Sequence, residues 1–202
     1  RLKGRWIMIC YETERLLLRN FCMEDVEDYH AYMSLESTAL HESFAPHTLA
    51  QCEEAVRERL SEDTSWAVVL KENGRLSGDL GYSKEPFGTC EISFDFNEQY
   101  GKRGYATEAC KALIRHLFIK VGAHRIYAGC NEGNENSWRL LERLSFRREA
   151  HCIEDVTFKQ DEQGRPIYVS SYYYALLRRE WMQQNAPEPK EGSSGRGQGC
   201  GV

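Results

Sequence analysis

The alternation of apolar and polar positions divides this chain into short blocks. Thr13 to Arg19 is an apolar run bounded by charges and predicts a first strand. After Met23 the acidic residues Glu24, Asp25, Glu27 and Asp28 crowd a helix start, where the macrodipole favours them, and Val26, Tyr29 and Met33 share one face. Residues 37–46 read as a loop. Thr48 followed by Gln51 has the spacing of a capping box and opens a second helix, running to about Leu60. Trp66 to Leu70 is continuously apolar, a buried strand. Glu72-Asn73-Gly74 is a hairpin turn and Arg75 to Tyr82 the returning strand, with Gly78 and Gly81 weakening or bending it.

Pro86-Phe87-Gly88 makes another turn, and Cys90 to Phe96 then alternates strictly. Ile92, Phe94 and Phe96 form one face and Glu91, Ser93 and Asp95 the other. Three polar residues in register on a central strand mean that their face either meets water or lines a cleft. Ala106 to Val121 repeats Ala109, Ala112, Leu113, Leu117 and Val121 at helical spacing and stops at Gly122. Arg125 to Cys130 is a short strand, Ser137 to Leu144 a helix, and Phe146 to Phe158 a further strand. Asp161 to Pro166 forms a hairpin turn. Ile167 to Leu177, with three successive tyrosines, is the last strand, and Trp181 closes the domain. The expected order is β-α-α-β-β-β-α-β-α-β-β: an α/β chain with one mixed central sheet flanked by helices.

Composition narrows the function classes. The chain has 202 residues, of which 41% are hydrophobic, enough for one sizeable core. Lys+Arg 26 against Asp+Glu 31 gives a net charge of −5, which argues against a nucleic-acid surface and mildly favours cationic partners. No apolar run has the length of a membrane span, and Trp6 to Cys10 is too short for a signal peptide core. The eight cysteines are scattered, with no C-x-x-C pair and no histidine at metal spacing. They read as reduced, mostly buried thiols of a cytoplasmic protein without a metal site. Residues 1–11 are expected to be an N-terminal extension, 12–183 the domain, and 184–202, rich in Pro, Glu, Gly and Ser, a disordered tail.

The stretch that carries chemistry is Gln99-Tyr100-Gly101-Lys102-Arg103-Gly104-Tyr105-Ala106-Thr107-Glu108-Ala109. A strand precedes it and a helix follows, so its successive backbone N–H groups gather at a helix N-terminus that attracts negative charge. Gly101 and Gly104 allow close approach and positive φ; Lys102 and Arg103 add positive charge. This is a cradle for a phosphate or pyrophosphate. It is not a P-loop, and its G-x-x-G-x-A spacing is not the G-x-G-x-x-G of a dinucleotide fold.

The loop resembles the acetyl-CoA motif [QR]-x-x-G-x-[GA] of the GNAT acetyltransferases, with Gly101 where Gln or Arg is usual. The string Gly-Tyr-Ala-Thr-Glu-Ala resembles the RimJ/RimL-like branch. So does Asn134-Glu135-Asn136-Ser137 leading to Leu141-Glu142-Arg143-Leu144-Ser145-Phe146, with Ser145 in place of the usual Gly. Val169 to Trp181 is similar to the closing strand of that branch. The resemblance covers about residues 12–181 and implies the GNAT acyl-CoA N-acyltransferase fold. It further implies acetyl-CoA as cosubstrate, no metal, and an amine acceptor, either a small molecule or a protein N-terminus.

The same resemblance implies site residues. The amides of Gly101, Lys102, Arg103, Gly104, Tyr105, Ala106 and Thr107 would hold the pyrophosphate. Phe94, Phe96 and Asn97 would line the pantetheine where the strand splays from its neighbour. Asn134 would either bond the pantetheine or cap a helix. Arg143 would either approach the nucleotide phosphates or be a surface charge. Ser137 would donate to the leaving thiolate or cap a helix. Glu91 is the first candidate for general base and Asp95 the second, because a carboxylate in a partly desolvated cleft can be raised toward neutrality. Glu108 would support the helix start. His41 and Phe44 would line an acceptor pocket or belong to an ordinary loop. An alternative role is a non-catalytic acyl-CoA-binding sensor of the same fold, and the last strand offers an edge for a possible homodimer.

Overall fold

The structure, a computed structural model, describes residues 9–186. The expected extension before Ile9 and the expected tail after Ala186 lie outside the described residues. Eight strands form one sheet: β1 (Ile9–Glu12), β2 (Leu16–Arg19), β3 (Ser65–Leu70), β4 (Leu76–Glu85), β5 (Thr89–Phe96), β6 (Arg125–Asn131), β7 (Arg147–Gln160) and β8 (Pro166–Leu177), in the spatial order β1-β2-β3-β4-β5-β6-β8-β7. Every neighbouring pair is antiparallel except β5 and β6. The helices are α1 (Val26–Met33), α2 (Glu36–Ala39), α3 (Leu49–Arg59), α4 (Tyr105–His116), α5 (Glu135–Arg143) and α6 (Arg178–Gln184).

Three elements depart from expectation. Strand β1 lies within the segment read as an extension; its pairing with β2, not its own pattern, makes it a strand. The four-residue α2 overlaps the start of the expected loop, held by bonds from the Thr38 and Ala39 amides to the Leu35 carbonyl. Helix α6 follows β8 directly, and its Trp181 packs on Phe118 with ring centroids 5.4 Å apart. The capping box at Thr48 and Gln51 is present. The long helix after the glycine loop ends in a widened π turn, Leu117–Val121, closed by Gly122 at φ 78°.

Two apolar layers cover the sheet. On β3, Trp66, Val68 and Leu70 join one layer, while Ala67 and Val69 join the other. The first layer holds Leu113, Leu117, Leu140 and Leu141 of the α4–α5 side. The second holds Tyr29, Tyr32, Cys52 and Val56 of the α1–α3 side. A strand covered on both faces must be apolar at every position, which is why Trp66 to Leu70 shows no alternation. Strand β4 is continuous over Leu76–Glu85, but its register against β3 slips at Ser77, next to Gly78, where Val68 pairs with Gly78 and Val69 with Leu76, as a weakened or bent strand would show. The glycines also serve close approach: a Cβ at Gly78 would sit 2.4 Å from the Asp95 carbonyl oxygen, and one at Gly81 2.6 Å from the Ser93 hydroxyl.

Candidate active site

The site begins where the parallel pair β5 and β6 separates. Strand β5 bonds β6 over Thr89 to Glu91 against Arg125 to Tyr127 and no further. Beyond that point β5 stays with β4 up to Phe96, whereas β6 stays with β8 up to Asn131. A wedge therefore opens between Ile92–Phe96 and Ala128–Asn131, with unpaired backbone groups along the β5 edge. Phe94 and Phe96 are half-buried against the α4–α5 layer, and Glu91, Ser93 and Asp95 point to the α1–α3 side. The strict alternation of the sequence is thus realised as two sides of a split sheet.

At the wide end of the wedge lies the glycine loop. Asn97 is buried and its side chain accepts from the Gln99 amide at 3.0 Å, capping a 3₁₀ turn over Glu98–Tyr100. The Gly101 amide closes that turn on the Glu98 carbonyl at 2.9 Å, so it is not available to a ligand. Gly101 has φ −62°, not the positive φ expected of it; it is glycine because a Cβ would lie 2.9 Å from the same carbonyl. The left-handed positions are Lys102 at φ 59° and Gly104 at φ 84°. Gly104 is the N-cap of α4 and no side chain caps that helix. Among the described residues, the amides of Gly104, Tyr105, Ala106 and Thr107 meet no protein acceptor. Four donors converging on one helix end, beside exposed Lys102 and Arg103, fit a pyrophosphate. Tyr105 contributes only its amide, since its side chain is buried in the core.

A brace that the sequence did not reveal fixes this loop. Glu108, in the first turn of α4, accepts from the Thr13 hydroxyl at 2.6 Å, the Arg15 amide at 2.9 Å and Arg15 Nε at 2.7 Å. Arg15 Nη1 donates to the Arg103 carbonyl at 2.9 Å, and its guanidinium lies 4.6 Å over the Tyr105 ring. Burial would raise the Glu108 carboxyl, but these donors outweigh it and hold the group below the usual carboxylate range. Ninety-three residues separate Arg15 from Glu108, and nothing in local spacing links them.

The opposite wall comes from β6 and α5. The Asn134 side-chain carbonyl accepts from the Ser137 amide at 3.1 Å, so Asn134 caps α5. Ser137, in the first turn of α5, is half-buried beside the Cys130 thiol of β6, where its hydroxyl offsets part of the rise that burial imposes on that thiol. Arg143 is exposed at the far end of α5, about 12 Å along the axis from its start. The structure brings Asn134 and Ser137 to the wedge and leaves Arg143 apart from them.

The α1–α3 side holds a polar cluster that the sequence reading touched only at Asp95. Asp79 of β4 is the cross-strand partner of Asp95. It is buried, 6% exposed, and accepts from the Tyr32 hydroxyl at 2.6 Å. Arg59 of α3 lies 5.2 Å over the Tyr29 ring, and Glu42 is half-buried in the loop before α3. Burial, Asp79 and Glu42 push the Asp95 carboxyl up to about 7, against the pull of Arg59. Glu91 stands at the closed end of the wedge against the Tyr127 hydroxyl, whose phenol is raised by burial and by that hydrogen bond. Lys159 of the β7–β8 hairpin donates to the Leu40 carbonyl at 2.9 Å, tying the hairpin to the 40–47 loop. His41 comes close to Gly133, where a Cβ would lie 3.1 Å from its ring. Phe44 instead stacks on His47, centroids 5.0 Å apart, and packs on the α1–α3 layer.

The family model for the acetyltransferase (GNAT) domain matches residues 15–147. The chain belongs to the GNAT family of N-acetyltransferases. It is 30% identical over 172 residues to the uncharacterized N-acetyltransferase YnaD of Bacillus subtilis, covering 84% of this chain and 97% of that protein. An acetyltransferase structure from Bacillus anthracis is similar at 29% identity with TM-score 0.76, over 84% of this chain and 98% of that one. Spermidine N-acetyltransferase from Vibrio cholerae, solved with CoA and spermine, shares the fold at 16% identity with TM-score 0.70, covering 84% and 99%. The expected GNAT fold is therefore the observed one.

Proposed function

We propose that this enzyme moves the acetyl group of acetyl-CoA to a primary amine, either a small molecule or a protein N-terminus, in the manner of the RimJ/RimL-like branch and in the cytoplasm. One observation carries the reading: the free edge of β5 leads directly into unbonded amides at the α4 N-terminus. An extended thioester arm fits the first and a pyrophosphate the second. The amides of Lys102 to Thr107 hold the phosphates, Phe94, Phe96 and Asn97 flank the arm, and Asn134 holds the start of α5 against it. Gly101 serves the turn, and Arg143 is left for the nucleotide end. Acetyl-CoA supplies the activated carbonyl. The chain supplies alignment of two reactants, a donor for the departing sulfur in Ser137, and a carboxylate for the amine's proton on the acceptor side of β5, where Glu91 and Asp95 stand.

Acetyl-CoA is expected to raise the melting temperature, and NAD and ATP are not. Ligand at 100 times its dissociation constant adds about 2.7 kcal/mol. An acceptor screen by mass spectrometry over amines and N-terminal peptides then names the substrate. A stabilising effect of acetyl-CoA with no acetylated product across the screen favours the acyl-CoA sensor instead.

A further inference from the structure

We infer that Asp95, and not Glu91, takes the proton from the incoming ammonium, with Asp79 and Tyr32 as the groups that position and tune it. The inference rests on the acetyl-transfer reading. Its basis is where the two carboxylates stand in the wedge.

Glu91 lies at the apex, in the last residue pair that still joins β5 to β6, beside the Tyr127 phenol. Asp95 lies four residues further along the open edge, toward the loop that receives the phosphates. It shares the α1–α3 side with Ser93, which is exposed, so an acceptor reaches this side from solvent. The Asp95 carboxylate accepts no hydrogen bond from the described residues, whereas that of its partner Asp79 is fixed by the Tyr32 hydroxyl at 2.6 Å. Directly opposed residues on one face of an antiparallel pair hold their Cβ atoms about 5 Å apart. Burial raises the Asp79 carboxyl above its ordinary range, against the Arg59 charge and the Tyr32 hydroxyl, and the two facing carboxyls oppose each other's ionisation, so Asp79 raises Asp95 in turn. The groups facing Asp95 are Asp79 from β4, Tyr29 and Tyr32 from α1, Arg59 from α3 and Glu42 from the preceding loop. A half-buried, unbonded carboxylate held near neutrality by these neighbours is suited to remove a proton at physiological pH.

The step balances simply. The N–H bond of R–NH₃⁺ breaks, its electron pair stays on nitrogen, and the proton bonds to a carboxylate oxygen of Asp95. The neutral amine then attacks. A second nitrogen proton goes to the departing sulfur, and Asp95 returns its own to solvent.

The test uses the full chain labelled with carboxyl-¹³C aspartate, as wild type, Asp95→Asn and Asp79→Asn. The resonance absent from Asp95→Asn is expected to titrate near 7 in wild type and about one pH unit lower in Asp79→Asn. With the best acceptor of the amine and peptide screen, Asp95→Asn is expected to lose about 10² to 10⁴-fold in kcat/KM at pH 7. Calorimetry should find its acetyl-CoA affinity unchanged, and Glu91→Gln should lose less than about ten-fold in rate. In wild type the acid limb of kcat/KM should follow the same midpoint as the resonance. An active enzyme whose Asp95 titrates near 4, or in which Glu91→Gln costs more than Asp95→Asn, overturns the inference alone. A wild-type chain that binds acetyl-CoA but acetylates nothing in the screen defeats the transferase reading, and the role of Asp95 with it.

Discussion

The two sides of the wedge are built in different ways. The side proposed for the cofactor is one continuous piece of chain, β5, loop and α4, and the groups it would use are backbone amides. The side proposed for the acceptor draws Asp79 from β4, Asp95 from β5, Tyr32 from α1, Glu42 from a loop and Arg59 from α3, and the groups it would use are side chains. A site made of local backbone writes itself into sequence as glycines at fixed spacing. A site made of side chains from five elements leaves no such string. The difference also separates what mutations do: backbone geometry fails through conformation, and the side-chain cluster fails through charge.

The largest effect that separates the sides is expected from Gly104→Val. At φ 84° a β-branched residue is strained, and Gly104 starts the helix whose amides form the cradle. Acetyl-CoA affinity should fall about 100-fold or more, while Lys102→Ala, which removes one exposed and screened charge, should cost only a few-fold. Calorimetric titration of both variants compares them directly. Equal losses would mean that side chains, not amides, hold the phosphates.

Glu108→Ala should come next. It removes the acceptor for Thr13 and Arg15, freeing the start of α4 without touching the acceptor side. KM for acetyl-CoA should rise about ten-fold, with kcat nearly unchanged, since a uniform binding interaction is lost. A fall in kcat at constant KM would place the brace in the chemistry instead.

A smaller effect belongs to the acceptor side and has a definite sign. Asp95 in the folded chain is raised to about 7, above its ordinary value of 3.8. The folded state therefore binds this proton more tightly, and the contribution is fully present below about pH 4 and lost as pH rises through about 7. Asp95→Asn should remove that loss and be about 1–2 kcal/mol more stable than wild type at pH 8, worth about 2–8 °C in Tm. Thermal melts of both proteins from pH 5 to 8 measure it. Parallel curves would show that Asp95 is ionised throughout.

The smallest effect is a control on both sides. Thr48→Ala deletes the cap of α3, whose side chain accepts from the Gln51 amide, and should cost about 1 kcal/mol. Acetyl-CoA affinity should not move. Because α3 also carries Arg59, a shift in the pH profile of this variant would show that the helix start governs the acceptor cluster.

Much of this architecture was legible in the residues. Strict alternation over Cys90 to Phe96 gave both sides of β5, and Gly122, Thr48 and Gln51 marked helix ends where the structure has them. Such signals act within a few residues, through φ, capping and periodicity, so local sequence carries them. The role of Gly101 was misread because two physical reasons for glycine, positive φ and close approach, leave the same letter. Helix α2 and strand β1 were missed because each is four residues long and has no period of its own.

By itself, then, the sequence determined the element order around the glycine loop, the helix that follows it and the two faces of β5. Tertiary structure alone decided where β5 leaves β6, that Arg15 and Glu108 brace the loop, and that Asp79 stands across from Asp95. These depend on strand register and on contacts between segments tens of residues apart. Shifting one strand by a single residue would turn Asp79 to the opposite face and leave every local pattern unchanged.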